Sequence, residues 1–263
     1  NGSTISGDIT SNTTLAEGYE YKLSGGVHVK EGATLTIKPG VKITAIDDDT
    51  PDYILIEQGA KIDAQGTASN PIVMTSETPE NKWGGIHICG KAHTNAESGS
   101  GSSEIGGAKY GGSDDKDNSG TLRYIRLEYT GFALDEEHEA NGISFYGVGS
   151  GTTVDHIESY KGGDDGFEFF GGSVNVNNMV SFDSSDDSFD WTEGWNGSAT
   201  NILAYQMSAE DDCLIEADNN GKNYDAVPVS RPTIKNAILI GNGGDGRGIR
   251  LRAGTQVILD NVV

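Results

Sequence analysis

A repeat between residues 162 and 195 constrains the fold of this chain more than any other feature. The segment DDGFEF at 164–169 returns as DDSFDW at 186–191, and a further Asp pair follows at 211–212. Self-similarity at a period of about 20–50 residues indicates stacked units that bury their apolar sides against one another. The unit is β-branched and aromatic, is interrupted by Gly and Asp, and lacks a helical period. It therefore predicts an all-β parallel β-helix, a single-stranded solenoid with roughly 22–27 residues per coil.

Alternation within the repeat predicts which side chains face the core, because successive side chains of a strand point to opposite sides. The inward positions are predicted to be Phe167, Phe169, Phe189, Trp191, Ile249 and Leu251, and the outward ones Glu168, Asp190 and Arg250. A second recurring segment begins with Asn at positions 178, 201, 236 and 261. Asn suits bends and stacks into amide ladders, so we expect a side-chain ladder at one corner of the solenoid.

The chain is predicted to form one continuous domain. Residues 1–26 are interpreted as an N-terminal cap or lead-in, and residues 27–263 as the β-helix, in which Asn261 only begins a further coil. Apolar residues become too sparse for a coil at about 91–120 and again at 218–232, so both segments are predicted to be long loop insertions. In repeat proteins such insertions tend to decorate one face, often the binding face.

The charge balance excludes several classes of partner. The formal net charge is −22 and the sequence pI is about 4.4, which argues against nucleic acid and anionic membrane surfaces because both require a basic patch. No apolar run approaches membrane-spanning length. The two cysteines, Cys89 and Cys213, should lie several coils apart, beyond the reach of a disulfide, so both are predicted to be buried free thiols.

Five segments of the chain match a known family: WGGI at 83–86, DNSGTL at 117–122, GVGSGTT at 147–153, GDDGFE at 163–168 and DDSFDW at 186–191. Through them the chain resembles the right-handed parallel β-helix proteins of the pectate-lyase-like superfamily, and within it a group of exported bacterial surface proteins, often lipoproteins. The resemblance implies a soluble, extracellular or cell-surface protein, with a lipid anchor before Asn1 as one option. The resemblance is specific for the fold and weak for function, because one fold hosts many activities.

Stacked Asp pairs are the distinctive chemical feature. At about 5 Å two unit charges repel by ~0.8 kcal/mol in water and ~3 kcal/mol at an effective dielectric of about 20. Either a cation neutralises them or some carboxyls have raised pKa values. Ca²⁺ fits such a site because it takes oxygen ligands from carboxylates and carbonyls. The alternative is turn chemistry, since Asp caps backbone N–H groups in bends. The predicted metal ligands are Asp164, Asp165, Asp186, Asp187, Asp211 and Asp212.

Three functions are compatible with these features. The first is a non-catalytic surface module that binds glycan or another surface partner, through Trp195 and Tyr224, with Tyr146 and Phe170 as further aromatic candidates and Glu168 and Asp190 as polar ones. The second is a calcium-dependent polysaccharide lyase whose base is Arg247, Arg250 or Lys161; the acidity of the chain counts against its polyanionic substrates. The third is a glycoside hydrolase that uses Glu168 and Asp190 as paired carboxylates on adjacent coils.

Overall fold

A computed structural model describes residues 2–48, 50–135 and 138–263 of the chain. It is a right-handed parallel β-helix, with one large parallel sheet of 20 strands. In the first half the strands are β1 (Thr4–Ile9), β2 (Thr13–Leu15), β3 (Glu20–Val29), β4 (Thr34–Ile37), β5 (Lys42–Ala45), β6 (Tyr53–Ile56), β7 (Lys61–Gln65), β8 (Ile72–Ser76), β9 (Ile86–Cys89), β10 (Gly101–Ser102), β11 (Lys109–Tyr110) and β12 (Gly120–Glu128). In the second half they are β13 (Ala133–Asp135), β14 (His138–Glu139), β15 (Ile143–Tyr146), β16 (Thr153–Tyr160), β17 (Phe167–Phe170), β18 (Asn175–Phe182), β19 (Phe189–Thr192), β20 (Ser198–Tyr205), β21 (Cys213–Ala217), β22 (Thr233–Ile240), β23 (Arg247–Leu251) and β24 (Ile258–Val262).

Each coil contributes strands to three stacked faces. Face A contains β9, β15, β17, β19, β21 and β23 in succession. The long strands β16, β18, β20 and β22 bend in the middle, so that their first halves form face B and their second halves form face C. The only helical element among the described residues is a 3-10 turn at Glu97–Gly99.

The bend between faces B and C is made by a ladder of Asn side chains, as the sequence predicts. Asn178, Asn201 and Asn236 all adopt the left-handed backbone conformation, with φ between 53° and 58°. The Asn201 amide donates to Oδ1 of Asn178 at 3.2 Å, and the Asn236 amide donates to Oδ1 of Asn201 at 3.1 Å. Asn261 continues the ladder by donating to Asn236 at 2.9 Å. Asn tolerates this conformation better than most residues, and its side-chain amide donates to the Asn of the preceding coil.

The core is a stack of apolar side chains along the solenoid axis. Phe169 lies between Phe145 and Trp195, with ring centroids 4.9 Å and 3.9 Å away. The predicted inward positions Phe167, Phe169, Phe189 and Trp191 are buried. Leu251 lies in the inward column, in register with the buried Ala217, but its side chain is 48% exposed. Among the described residues β23 pairs only with β21, so no further coil covers this strand.

The solenoid begins earlier than residue 27. β1 already pairs in parallel with β3, from Thr4 against Lys22 to Ile9 against Val29, so residues 4–26 belong to the coils and are not a separate cap. The Gly25-Gly26 pair lies inside β3, where Gly25 has φ +73°. This conformation bends the strand from face C to face A, and glycine adopts it at low cost.

Loops interrupt the coils at three places. β10 and β11 form an antiparallel hairpin within 91–119, and β13 pairs antiparallel with β14. The third loop runs between β21 and β22, at 218–232. Both cysteines are free and buried, as predicted. Among the described residues, no helix is long and apolar enough to cross a membrane.

Candidate metal centre on face A

Acidic side chains form columns on the outside of face A because equivalent positions of successive coils lie in register. Glu168 pairs with Asp190, and Asp190 pairs with Glu216. Ser144 precedes Glu168 in this column, and Arg250 follows Glu216. Neighbouring strands lie about 4.8 Å apart, so these carboxyls are held close together by the backbone rather than by mutual attraction.

The Asp pairs form two further columns at the corner that precedes face A. The 22-residue step from Phe167 to Phe189 places Asp165 beside Asp187 and Asp164 beside Asp186. The next step, from Phe189 to Ile215, is one of 26 residues, and it places Asp212 beside Asp186 and Cys213 beside Asp187.

The stacking predicted for Asp211 is therefore wrong by one residue. Its carboxylate lies outside the columns, where Oδ2 accepts the amide of Ser208 at 3.2 Å. Asp211 is 3% exposed, and burial together with the nearby Asp183 raises its pKa to about 6. It is a buried turn residue that helps to shape the 206–211 loop.

Turn chemistry is present at both central Asp residues. Oδ1 of Asp165 accepts the amide of Asp187 at 2.9 Å, and Oδ1 of Asp187 accepts the amide of Cys213 at 2.7 Å. Each Asp thus caps the backbone of the following coil. Asp165 is 5% exposed and Asp187 is 3% exposed. Capping occupies one carboxylate oxygen of each residue and does not exclude metal binding by the other.

Carboxylate oxygens converge at two overlapping groups. One group contains Asp164, Asp165 and Asp186, and the other contains Asp165, Asp187 and Asp190; within each, ligand atoms of all three residues lie within 4.8 Å of one another. A third group joins Asp187, Asp212 and Glu216 to the thiol of Cys213 within the same distance. Asp165 and Asp187 each belong to two groups, so the three form one continuous cluster, which we call the carboxylate cluster.

Burial and mutual repulsion shift the acid–base behaviour of this cluster. Burial, followed by repulsion from nearby carboxylates, raises the pKa of Asp164 to about 8 and that of Asp187 to about 8. The same causes raise the pKa values of Asp165, Glu168 and Asp190 well above their ordinary range. The shifts mean that bringing these carboxylates together in charged form is unfavourable unless a counter-charge is present.

Direct contacts between the cluster and Arg side chains of the described residues lie at one end of the cluster. Arg250 donates to Glu216 at 2.9 Å, and Arg252 donates to Asp218 at 2.8 Å. Arg247 lies 3.7 Å from Asp212. Among the described residues, no Lys or Arg nitrogen lies within 4.0 Å of a carboxylate oxygen of Asp164, Asp165, Asp186, Asp187 or Asp190.

Asn141 closes the opposite end of the cluster. Its side-chain amide donates to Glu168 Oε2 at 2.6 Å and to Ser144 Oγ at 3.0 Å. The residue is 1% exposed, and its Oδ1 atom is buried without a hydrogen-bond partner. A buried amide oxygen in this state costs about 1–3 kcal/mol. Neither Asn141 nor Glu216 was singled out from the sequence, although both occupy the columns that the correct strand register defines.

The remaining predicted site residues lie apart from this cluster. Trp195 is 1% exposed and donates to the Val174 carbonyl at 3.1 Å, so it is a core residue and not a sugar platform. Tyr146 and Phe170 are also buried, packed under the 91–119 loop with Cys89 and Tyr110. Tyr224 is 62% exposed. The Lys161 ammonium lies 5.6 Å from the centre of the Tyr160 ring, on face C.

The chain is similar to one solved structure and to one sequence family. The catalytic unit of a thermostable GH87 α-1,3-glucanase from Streptomyces thermodiastaticus strain HF3-3 matches 97% of this chain at 13% identity, with a TM-score of 0.31. The chain spans 61% of the length of that protein. No curated protein matches the chain. Residues 7–263 match the sequence profile of the family described as "Pectate-lyase like beta helix domain". The chain therefore belongs to the pectate-lyase-like β-helix family.

Proposed function

We propose that this protein is an exported surface module that binds Ca²⁺ in the carboxylate cluster and binds glycan on the same side of the solenoid, without catalysis. The observation that carries the calcium proposal is the convergence of Asp165, Asp187 and Asp190 within 4.8 Å of one another. No Lys or Arg nitrogen of the described residues lies within 4.0 Å of their carboxylate oxygens. The glycan proposal rests on the β-helix family and on the loops that surround face A.

The spacing of the oxygens suits calcium. Ca²⁺–oxygen distances are about 2.3–2.6 Å, so ligands on opposite sides of one ion lie up to about 5 Å apart. Oxygens that all lie within 4.8 Å of one another can therefore share an ion with little side-chain movement. The Asp165–Asp187–Asp190 group offers only oxygen atoms, which favours a hard cation. Ca²⁺ also tolerates irregular geometry better than Mg²⁺ does.

Asn141 supplies support that does not depend on the acidic residues. Its buried Oδ1 atom lacks a partner, while its Nδ2 atom contacts Glu168 at the edge of the cluster. Amide oxygens are common calcium ligands. A cation between Asn141 and the Asp165 row would satisfy this atom and lower the repulsion around Glu168 at the same time.

The catalytic alternatives have weaker support. Among the bases considered for a lyase, Arg250 is bound to Glu216, and Lys161 lies against Tyr160 on face C. A glycoside hydrolase is the better second candidate, because Glu168 and Asp190 are register neighbours whose pKa values are both raised. A carboxyl that stays protonated near neutral pH can serve as a general acid.

Calcium binding is tested by calorimetric titration of chelator-treated protein and by melting in the presence of Ca²⁺ or chelator. A ligand that binds only the folded state stabilises it by about 2.7 kcal/mol at a hundredfold excess over Kd. We expect the melting temperature to rise with Ca²⁺ in the wild type and in the matched control Asp211→Asn. The double variant Asp165→Asn/Asp187→Asn should lose the response while keeping its capping oxygens. A wild-type melting temperature indifferent to Ca²⁺ would refute the calcium proposal.

Glycan binding and catalysis require separate assays. When a panel of polysaccharides is titrated into the protein by calorimetry, at least one should give a binding signal. The absence of binding by every polysaccharide in the panel would refute the glycan proposal. Absorbance of unsaturated uronate reports lyase activity, and release of reducing ends reports hydrolysis. Sustained product formation that disappears in Glu168→Gln or Asp190→Asn would replace the binding-module proposal with the hydrolase.

A further inference from the structure

A cavity of about 350 Å³ lies between two of the loop insertions, next to the carboxylate cluster but separate from it. Its floor is the end of β19, where Thr192 and Glu193 follow Asp190 and Trp191. One side comes from the 91–119 loop and the other from the 218–232 loop. The lining residues used below are Glu97, Tyr110, Thr192, Glu193, Gly221 and Lys222.

The two loops are fixed to each other by buried amides. The Asn95 side-chain amide donates to Asn219 Oδ1 at 2.8 Å and to the Pro228 carbonyl at 2.9 Å. In return, Asn220 donates to the Asn95 carbonyl at 3.1 Å. Asn219 is fully buried, and its own amide donates to the carbonyls of Tyr224 and Ala226. The walls of the cavity are therefore held in place without a ligand, which lowers the entropy cost of binding.

Glu193 is held at the floor with its carboxylate oriented. The Tyr110 hydroxyl donates to its Oε2 atom at 2.8 Å, and the Thr94 hydroxyl donates to the same atom at 3.0 Å. The residue adopts a left-handed backbone conformation, with φ of 56°. Such conformations cost about 1–3 kcal/mol and are concentrated at functional sites. With Oε2 occupied by these two donors, Oε1 is the oxygen that can accept a bond from a ligand in the cavity.

The lining combines acceptors and donors suited to hydroxyl groups. Glu97 and Glu193 supply carboxylate acceptors, whereas the Lys222 ammonium and the Thr192 hydroxyl supply donors. The formal charges of these side chains sum to a negative value. Asp190, a member of the carboxylate cluster, lies three residues before Glu193 on the same coil. An anionic ligand would be repelled here, so the lining selects a neutral ligand rich in hydroxyls. The volume is at the small end of ligand cavities, which run from about 300 to 1,000 Å³.

We infer that this cavity is a subsite for one ring of a neutral glycan. This inference rests on the proposed glycan-binding function and assigns it a place and a substrate class. The ring would lie between the two insertions, with Glu193 accepting from its hydroxyls and Lys222 donating to them. The rest of the glycan would leave through the open side of the cavity.

Gly221 allows the cavity to be filled without disturbing the fold. A Cβ atom built on Gly221 meets no heavy atom within 4 Å, and the backbone there is not left-handed. Gly221→Trp should therefore place a large ring at the cavity mouth. Gly248 on β23 is a matched control, because a Cβ there also meets nothing within 4 Å and the residue does not line this cavity.

The test is calorimetric titration of the full chain with maltotriose, cellotriose and laminaritriose, and with trigalacturonate as the anionic counterpart. We expect at least one neutral trisaccharide to bind, Gly221→Trp to weaken it at least tenfold, and Gly248→Trp to match the wild type. Glu193→Gln should weaken binding about tenfold, as expected for loss of one charge-assisted hydrogen bond.

Different failures have different meanings. If a neutral trisaccharide binds equally well to Gly221→Trp, the subsite is elsewhere and the glycan-binding function stands. Preference for trigalacturonate overturns the assignment to neutral sugars. If no sugar binds the wild type, both this inference and the glycan half of the proposed function are wrong, while the calcium response of the same sample tests the metal half independently.

Discussion

The backbone amide of Asp187 donates to Oδ1 of Asp165 at 2.9 Å, so the carboxylate of one coil caps the start of the next. Asp165 therefore has two roles, as an acceptor that caps the backbone and as a charged member of the carboxylate cluster, and two substitutions can separate them. Asp165→Ala removes the acceptor and leaves a buried N–H, at a cost of about 1–3 kcal/mol. Asp165→Asn keeps the acceptor and removes a repelled charge. In chelator-treated protein we expect denaturant unfolding to rank Asp165→Asn at or above the wild type and Asp165→Ala below it. The opposite ranking would contradict a capping role.

Metal-free protein should lose stability as the pH rises. The folded-state pKa of Asp164 and that of Asp187 are both about 8, above the ordinary Asp value. A raised carboxyl pKa means that the folded state binds more protons than the unfolded state between about pH 4 and pH 8. The free energy of unfolding therefore falls across this window. We expect chelator-treated protein to melt at a lower temperature at pH 8.5 than at pH 5.5, with saturating Ca²⁺ reducing the difference. A pH-independent melting temperature without metal would contradict this.

Asn201 tests the corner ladder. It donates to Asn178 and accepts from Asn236 while its φ is 58°. Asn201→Ala should cost about 2 kcal/mol, since it loses these bonds and places Ala in the left-handed region. Asn201→Gly also loses these hydrogen bonds, but glycine adopts the left-handed conformation without steric strain. This variant should therefore be the less destabilised of the two. Equal stability of both variants and the wild type, measured by urea denaturation, would show that the ladder contributes nothing.

Phe169 tests the stacked core. Its ring lies between Phe145 and Trp195 and is fully buried. Phe169→Ala should reduce the free energy of unfolding by about 3–5 kcal/mol, the range found for large cavities in cores. Tyr224→Ala, at a 62% exposed position, should change it by less than about 0.5 kcal/mol. Similar losses in the two variants would contradict the packing described.

The thiols give a rapid check of the coil assignment. Cys89 and Cys213 are buried and free, and burial raises the pKa of Cys89 to about 12. The thiolate is the reactive form, so native protein should react very slowly with a disulfide reagent at pH 8. Denatured protein should react with two equivalents of the reagent per chain, one for each cysteine. Fast labelling of the native protein would show that at least one coil around these residues is open.

Much of the fold could be predicted from local patterns. The 22-residue step between Phe167 and Phe189 and the recurring Asn residues specify strand spacing and corner chemistry directly. The step to β21 could not be predicted in the same way. Leu214 and Ile215 are both apolar and both buried, so alternation does not decide which of them faces the core. Aligning the Asp pair at 211–212 with the pair at 186–187 gives a pairing of β19 with β21 that is wrong by one residue.

The candidate site was harder to predict because it depends on contacts distant in sequence. Trp195 follows β19 in a turn, and nothing local indicates that its ring reaches back to stack on Phe169. Asn141 joins the cluster only because its coil lies next to that of Glu168. The position of Glu193 depends on Tyr110, which comes from a loop 83 residues earlier.

The row of side chains along face A changes character from one end to the other. It passes from His87 and Ser144 through Glu168, Asp190 and Glu216 to Arg250. The rod therefore has an electrical polarity along its length, in addition to the chemical polarity of its chain. A charged linear molecule laid along the row from Glu168 to Arg250 would meet carboxylates at one end and a guanidinium at the other, so its two orientations would differ in energy.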